Sequence, residues 1–229
     1  MTATLSAALA AAGSPGLFSI RNTLFTLGGT GVSLIELLSV ILGLATVFLA
    51  GRGKVLNFWF GYLYSISLFL LFLQKHLYFS MLLQPVSLTL NIIGHYRWTH
   101  PQKGEENQRN ELKITRLKPA AMATAAAAVI ALALLLAWTM GQLSLRWPGT
   151  FPPASNPDLD AFVTMMILTA QYLSAQKKFE CWGAWLIVNT TNIILYLRAG
   201  LVFMPIVSAC YLILAFFGIA SWKKQMKEQ

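Results

Sequence analysis

Charged residues are scarce in this chain. Asp, Glu, Lys and Arg together make up 11% of its 229 residues, against about 25% in an average soluble domain. Apolar residues make up 56%, which is more than a soluble fold of this size can bury. A bilayer accepts such a surface if the backbone polar groups are paired within helices or a closed barrel. The apolar runs are long and do not alternate, so they exclude a barrel and predict an all-α, polytopic membrane protein.

The residues that carry chemistry are also few. The two cysteines, Cys181 and Cys210, lie in or beside apolar runs, which argues against a disulfide framework and a metal site. The sequence holds no cluster of His, Asp and Cys for catalysis and no Walker motif for ATP, so we expect neither an enzyme nor a bound cofactor. The 17 Lys+Arg outnumber the 8 Asp+Glu. They fall in short loops, which indicates membrane lipid rather than nucleic acid as the partner.

The apolar runs are long enough for seven transmembrane helices, each of which needs about 20 residues. They lie at 34–50, 56–73, 77–96, 120–140, 159–174, 181–197 and 201–222. The segment at 18–30 is too short and too polar to span, and we predict a short interfacial helix there. Of the 17 basic residues, 13 fall on the side of the C-terminal tail. That side is predicted to be cytoplasmic, which places the N-terminus outside.

The first three spans recur after a shift of 124 residues, which brings Gly94 onto Gly218 and Trp98 onto Trp222. Each repeat has an odd number of helices, so one further helix must cross the membrane between the repeats if both are to have the same orientation. The Ala-rich fourth span is predicted to be that helix, and the two repeats are then parallel (3+1+3). The predicted organisation is an N-terminal tail and interfacial helix at 1–30, a first repeat at 31–98, a cytoplasmic linker at 99–118, a linker transmembrane helix at 119–141, an external loop at 142–158, a second repeat at 159–222 and a cytoplasmic tail at 223–229.

Polar side chains follow one face of several spans, where they are costly unless they meet a cavity or another helix. Those of the sixth span recur at steps of three and four residues, which places them on one helical face. The predicted substrate-binding residues are Trp182, Trp185, Asn189, Asn192 and Tyr196 on the sixth span, Gln84, Ser87 and Asn91 on the third, Gln171 on the fifth and Tyr211 on the seventh. The open alternative is that these amides and hydroxyl groups only join helices to one another.

Two further polar residues are interpreted as structural. Glu36 begins the first span, where a carboxylate caps a helix N-terminus, and coupling to a proton is the weaker alternative. His95, near the end of the third span, is predicted to lie at the membrane interface. The spans hold no carboxylate near mid-depth, so an ion-driven pump is not expected.

Tryptophans and carboxamides without a charged neighbour define the class of ligand. Indole faces stack on aromatic rings and attract cations, and carboxamides both donate and accept hydrogen bonds. A flat, hydroxylated heteroaromatic molecule such as a nucleoside fits these groups. A phosphorylated ligand does not fit, because no Lys or Arg lies on the polar faces.

Several motifs carry a resemblance to a known family. They are SIRNTLFTLGG at 19–29, YFSMLLQ at 78–84, Trp182-x-x-Trp185 followed by Asn189, and the closing Gly218-x-x-x-Trp222. With these motifs the chain resembles the PnuC nicotinamide riboside transporters over nearly its whole length. It departs from them at His95, where the family has a more aromatic end to the third span.

The resemblance implies a SWEET-like 3+1+3 fold and facilitated diffusion of nicotinamide riboside across the bacterial inner membrane. It also implies a homotrimer, and a cytoplasmic riboside kinase that traps the substrate for NAD biosynthesis. Trp182 and Trp185 would flank the nicotinamide ring, while Asn189, Asn192 and Gln84 would bind its amide and ribose. Two alternatives stay open: a transporter of a related vitamin or nucleoside, such as thiamine or a deoxynucleoside, and a membrane sensor without flux.

Overall fold

Seven α-helices run through the described part of the chain. The structure is a computed structural model, and it describes residues 17–75, 78–108, 110–149, 157–198 and 200–229. The helices are α1 (Leu34–Gly51), α2 (Asn57–Gln74), α3 (Tyr78–Thr99), α4 (Pro119–Arg146), α5 (Pro157–Ala175), α6 (Cys181–Arg198) and α7 (Phe203–Lys227). Each coincides with one predicted span, so the prediction of seven helices is confirmed. The predicted N-terminal tail and part of the predicted external loop lie outside the described residues.

Four of the helices, α1, α2, α4 and α7, are long and apolar enough to cross a bilayer. The other three, α3, α5 and α6, carry most of the polar residues predicted to form the site. These polar residues lower the hydropathy of the three helices. A polar helix face is tolerated in a membrane only where it meets protein or a cavity.

A β-hairpin precedes α1, so the prediction of an interfacial helix at 18–30 is wrong. β1 (Thr23–Leu27) pairs antiparallel with β2 (Thr30–Ser33). The two loop residues, Gly28 and Gly29, have φ of 58° and 78°, and two successive residues with positive φ are what a type I′ hairpin turn requires. The hairpin reaches α7, where the ring of Phe25 meets the ring of Phe203 edge to face at 6.5 Å.

Glu36 caps α1, as predicted from its position. Its Oε2 accepts hydrogen bonds from the backbone N–H of Ser33 at 2.7 Å and from the Ser33 hydroxyl at 2.8 Å. These bonds satisfy groups at a helix N-terminus that have no partner within the helix. The other oxygen, Oε1, accepts a hydrogen bond from Lys75 Nζ at 2.5 Å. This ion pair ties the start of α1 to the end of α2.

Six of the helices form a closed ring. Each packs against the next in the order α1, α2, α3, α5, α6, α7, and α7 packs against α1. The remaining helix, α4, packs mainly on the outside of α5. Its apolar window is only 11% buried, which suits a helix whose surface faces lipid. In this ring α2 lies opposite α6.

The two ends of the ring differ. The hairpin lies at one end, which we call the hairpin end. The other end, the linker end, carries residues 99–118 and the loops between α1 and α2 and between α5 and α6. At this end two tryptophans join the two halves of the ring. Trp98 Nε1 donates a hydrogen bond to the carbonyl of Ser174 at 3.1 Å, and Trp222 Nε1 donates to the carbonyl of Ala50 at 3.0 Å.

Trp98, Trp222, Phe58 and Trp182 form what we call the aromatic cluster. The rings of Phe58 and Trp98 meet edge to face at 5.1 Å, and those of Trp182 and Trp222 meet edge to face at 5.4 Å. Both contacts have an interplanar angle of 88°. The two contacts are equivalent after a shift of 124 residues, because Phe58 corresponds to Trp182 and Trp98 to Trp222. The two indole hydrogen bonds are equivalent in the same way, because Ala50 corresponds to Ser174.

Two of the rings, those of Phe58 and Trp182, pack closely against glycines. A Cβ built at Gly94 would lie 2.6 Å from the Phe58 ring, and one built at Gly218 would lie 2.4 Å from the Trp182 ring. Both distances are far below contact, so only glycine fits at either position. The paired Gly-x-x-x-Trp motif therefore reflects one packing arrangement that occurs twice.

The segment at 99–118 was predicted to be a linker, and the structure adds that it folds over the aromatic cluster. Leu112 and Ile114 are buried within it. Thr115 pairs with the loop between α5 and α6: its N–H donates to the Lys177 carbonyl at 3.2 Å, and its own carbonyl accepts from the N–H of Phe179 at 2.9 Å. Most residues of the segment are polar, so its composition did not indicate that these two apolar residues are buried.

Lys177 is the buried lysine of this end. The residue is 3% exposed, and its Nζ lies 4.7 Å above the Trp98 ring in a cation–π contact. Burial lowers the pKa of the Lys177 amine from 10.5 to about 8, while the nearby Glu111 acts in the opposite direction. The amine therefore loses its proton more readily than an exposed lysine does.

The stability of the protein is expected to rise with pH through this lysine. Between about pH 8 and 10.5 the unfolded chain binds a proton that the folded chain lacks, so the free energy of unfolding increases with pH. The gain is up to about 3 kcal/mol at the top of the range. We expect Lys177→Met to remove this increase, measured as melting temperature against pH in detergent. Lys224→Met, at a side chain that is 80% exposed, is the control; an equal loss there would contradict the assignment.

Candidate substrate-binding site

The polar face of α6 points into the ring. Trp182 and Asn189 are buried, and Trp185, Asn192 and Tyr196 on the same face are half-buried. The other face of the helix, which includes Ile187, Ile194 and Leu197, is exposed. The stripe is therefore the face of α6 that is turned toward the other helices.

Trp182 is held inside the aromatic cluster. Its six-membered ring lies against Gly218 and its edge meets Trp222. Its Nε1 is buried and has no hydrogen-bond partner within the described ranges. On α5, the buried Oε1 of Gln171 likewise lacks a partner in the described part of the chain. One unused donor and one unused acceptor therefore lie on neighbouring helices, where leaving either unpaired is costly.

Trp185 and Asn189 lie deeper in the ring than Trp182. Asn189 Nδ2 donates a hydrogen bond to the backbone carbonyl of Trp185 at 2.8 Å. This bond orients the carboxamide, and its oxygen can still accept hydrogen bonds. The half-buried Trp185 indole packs beside the aromatic cluster. The two side chains thus form a continuous patch of indole and amide on α6.

The stripe of α3 is directed toward α2. A Cβ built at Gly61 of α2 would lie 2.9 Å from Asn91 Oδ1, so the Asn91 carboxamide fills the space beside that glycine. Gln84 Nε2 donates to its own helix, at the Ser80 carbonyl, 3.1 Å away. Ser87, between them, is buried. Of these three residues, Asn91 lies at the contact of α3 with α2, which is the arrangement expected where an amide joins two helices.

His95 continues this stripe and contacts two residues of α2, and its position at the membrane interface stays a prediction. Its Nδ1 shares a hydrogen bond of 2.7 Å with the hydroxyl of Tyr62. Its ring stacks on Phe58 at 5.5 Å between centroids. The imidazole therefore links α2 and α3 beside the aromatic cluster.

Tyr64 is a residue of the ring interior that sequence reasoning missed. Its ring lies close to the hydroxyl of Tyr211 on α7, because both pack against the same glycine. A Cβ built at Gly43 of α1 would lie 2.0 Å from the Tyr211 hydroxyl and 3.1 Å from the Tyr64 ring. Gly43 was the signal that could have identified the pair, since an isolated glycine in an apolar helix often marks a close approach.

The chain is similar in sequence to known transporters. The model of the nicotinamide mononucleotide transporter family matches residues 33–224. The nicotinamide riboside transporter PnuC of Escherichia coli is 28% identical over 233 residues, which cover 93% of this chain and 96% of that protein. The riboflavin/roseoflavin transporter RibM of Streptomyces davaonensis is 28% identical over 189 residues, covering 82% and 83%.

A solved structure is also similar. The crystal structure of the vitamin B3 transporter PnuC superposes with a TM-score of 0.63 at 20% identity, covering 85% of this chain and 82% of that one. At this level of identity the match establishes a shared fold. It says nothing by itself about the ligand.

Proposed function

The chain belongs to the nicotinamide mononucleotide transporter family, and from this membership and the site described above we propose that it carries nicotinamide riboside across the bacterial inner membrane. The observation that carries the proposal is the α6 stripe, a patch of indole, carboxamide and phenol groups inside a closed ring of helices. These groups suit a flat cationic ring that bears an amide and a ribose.

The same chemistry favours the riboside over the mononucleotide. None of the ten predicted site residues is basic. A phosphate group brought into a site of low polarity needs Arg, Lys or several backbone N–H groups as partners. We therefore propose that the substrate crosses unphosphorylated.

Roles can be proposed for the individual residues. Trp185 stacks on the nicotinamide ring, with Trp182 beside it at the linker end. The unused donor Nε1 of Trp182 and the unused acceptor Oε1 of Gln171 match the carbonyl and the amino group of a carboxamide. Asn189, together with Asn192 and Gln84, completes the contacts to amide and ribose.

The transport architecture that we propose is two parallel three-helix repeats, α1–α3 and α5–α7, with α4 as the helix that joins them. The recurrence of the indole hydrogen bonds and edge-to-face contacts after 124 residues supports this plan. The excess of basic residues at the linker end supports a cytoplasmic position for it, with the N-terminus outside. The aromatic cluster then closes the cytoplasmic end of the pathway.

The driving force that we propose is the substrate gradient itself. The described spans place no carboxylate near the centre of the ring that could carry a proton with the substrate. Phosphorylation by a cytoplasmic riboside kinase would keep the internal concentration of riboside low. A homotrimer embedded in membrane lipid remains our expectation for the assembly.

Asn189→Ala tests the site. Its carboxamide lies at the centre of the α6 stripe, so we expect its removal to weaken nicotinamide riboside binding roughly 3- to 10-fold, the value of one or two neutral hydrogen bonds. Calorimetric titration of the purified protein measures this. Thr190→Ala is the matched control, because Thr190 is the next residue and is exposed. Equal affinities of Asn189→Ala and wild type would refute this role.

Riboflavin is the competitor that the binding assay should include, because RibM matches this chain at the same 28% identity as the E. coli riboside transporter. Riboflavin has a larger, uncharged ring system and a flexible hydroxylated chain. Tighter binding of riboflavin than of nicotinamide riboside would replace the proposed substrate while leaving the family assignment intact.

A further inference from the structure

A strap at the linker end joins the two halves of the ring. We give this name to residues 110–117, which follow α3 in the chain and lie against the loop between α5 and α6. Besides the two backbone hydrogen bonds of Thr115 described above, side chains of the loop hold the strap. The N–H of Leu117 donates to Glu180 Oε2 at 3.0 Å, and Lys178 Nζ donates to the Thr115 hydroxyl at 2.8 Å.

The strap also covers the aromatic cluster. Leu112 and Ile114 are buried in the same core as the rings of the cluster. Hydrogen bonds of Trp98 and Trp222 join the two halves of the ring beneath them. The halves therefore cannot part at this end without uncovering the surface on which Leu112 and Ile114 lie.

The contacts of the strap are of a kind that can open while the helices stay folded. Thr115 is exposed and Lys178 is half-buried, so water can replace the hydrogen bonds between them. The buried part of the strap consists of two aliphatic side chains, Leu112 and Ile114. Segments with few buried apolar contacts and exposed hydrogen bonds have low free energies of local opening.

The loop beneath the strap has a strained backbone. Lys177 has a φ of 52°, a value that a residue with a side chain rarely adopts. Such a conformation persists where the surroundings hold it. Here the Lys177 carbonyl accepts the hydrogen bond from Thr115, and its Nζ lies over the Trp98 ring. Release of the strap removes one of these supports, so we expect the strap, the loop and Trp98 to move together.

We propose that the strap is a latch, which keeps the linker end of the pathway closed while the substrate binds and is released from the loop between α5 and α6 when the substrate leaves at that end. This inference rests on the proposed function and adds a gate to it. In alternating access, each end of the pathway opens in turn around a fixed site. A protein whose strap is fixed in place should therefore bind the riboside and fail to transport it.

The double variant Thr115→Cys/Lys178→Cys can fix the strap with a disulfide. The two residues form a parallel backbone bridge, and their side chains contact each other. Paired strands lie about 4.8 Å apart, which is within the roughly 4.4 to 6.8 Å between Cα atoms that a disulfide spans. Neither residue is buried, so we expect the variant to fold and its thiols to react with an added oxidant or reductant.

Riboside flux into liposomes and riboside binding, by calorimetric titration, are measured for the oxidised and the reduced double variant. We expect the oxidised protein to lose riboside flux while it binds the riboside as tightly as wild type does, and reduction to restore the flux. The single variants Thr115→Cys and Lys178→Cys are the matched controls. Both retain Cys181 and Cys210, and their flux should be the same with and without oxidant.

Equal flux by the oxidised and reduced double variant would overturn the inference. Failure of the two thiols to join, measured by counting free thiols, would also overturn it, because the pairing would then be absent. Loss of binding together with flux would show that the strap shapes the binding site instead of closing its exit, which is equally contrary to a latch. Absence of riboside binding or flux in wild type would instead overturn the proposed function, so the two failures are distinguishable.

Discussion

Gly218→Ala is expected to abolish uptake and to prevent the protein from accumulating in folded form. The added methyl group would lie 2.4 Å from ring atoms of Trp182, and the indole cannot move away because it is 2% exposed and packed against Trp222. Overpacking of this kind costs about 3 kcal/mol or more when a rigid ring is trapped. That is a large part of the roughly 5 to 15 kcal/mol by which a protein is stable.

Size-exclusion chromatography and melting temperature in detergent, together with riboside uptake by cells, measure the effect. Gly183→Ala is the control. It adds the same methyl group one residue from Trp182, where no described atom lies within 4 Å of the new Cβ, and alanine favours a helix by up to about 1 kcal/mol. Wild-type melting temperature and uptake for Gly218→Ala would show that the contact does not exist as described.

Trp222→Ala and Trp98→Ala are expected to lower the free energy of unfolding by about 3 to 5 kcal/mol each. Each change empties a buried site in the aromatic cluster and leaves a backbone carbonyl, of Ala50 or Ser174, without its indole N–H. If the two halves of the ring are repeats, the two costs should be similar. A loss from one tryptophan several-fold larger than from the other would count against equivalent roles.

Trp138→Ala serves as the control for these variants, because Trp138 lies on α4 and is 63% exposed. The variants Trp98→Phe and Trp222→Phe separate the two causes. They keep an aromatic ring but lose the N–H, so their cost should fall to about 1 to 3 kcal/mol. Melting temperature and urea or detergent denaturation of the purified variants measure all five changes.

Local pattern was sufficient for the helices and for the shared face of the α6 residues. The apolar runs fixed the number and approximate bounds of α1 to α7, because helix formation in a bilayer depends on the length and hydropathy of each segment alone. The spacing of the α6 residues also predicted a single face correctly, since 3.6 residues per turn is a property of any helix. The capping role of Glu36 followed in the same way from its place at a helix start.

The one prediction that was wrong came from averaging composition over a segment. The hairpin at 23–33 was read as a helix because its apolar residues outweighed Gly28 and Gly29, whose positive φ values make the turn. The burial of Leu112 and Ile114 in the linker was not predicted, because both residues stand among charged neighbours. The partner of His95, Tyr62, could not be identified from sequence either.

By itself, then, the sequence determined a membrane protein of seven helices with a recurring Gly-x-x-x-Trp motif and a polar stripe on its sixth span that holds no Lys or Arg. Only the tertiary structure decided which polar residues meet. It set Asn91 against Gly61, enclosed Trp182 in the aromatic cluster and brought Tyr64 to Tyr211 across Gly43. The reason is physical: periodicity gives the face of a helix but not its rotation toward a neighbour. That rotation depends on side chains elsewhere in the chain, 30 residues away for Gly61 and Asn91 and 147 for Tyr64 and Tyr211.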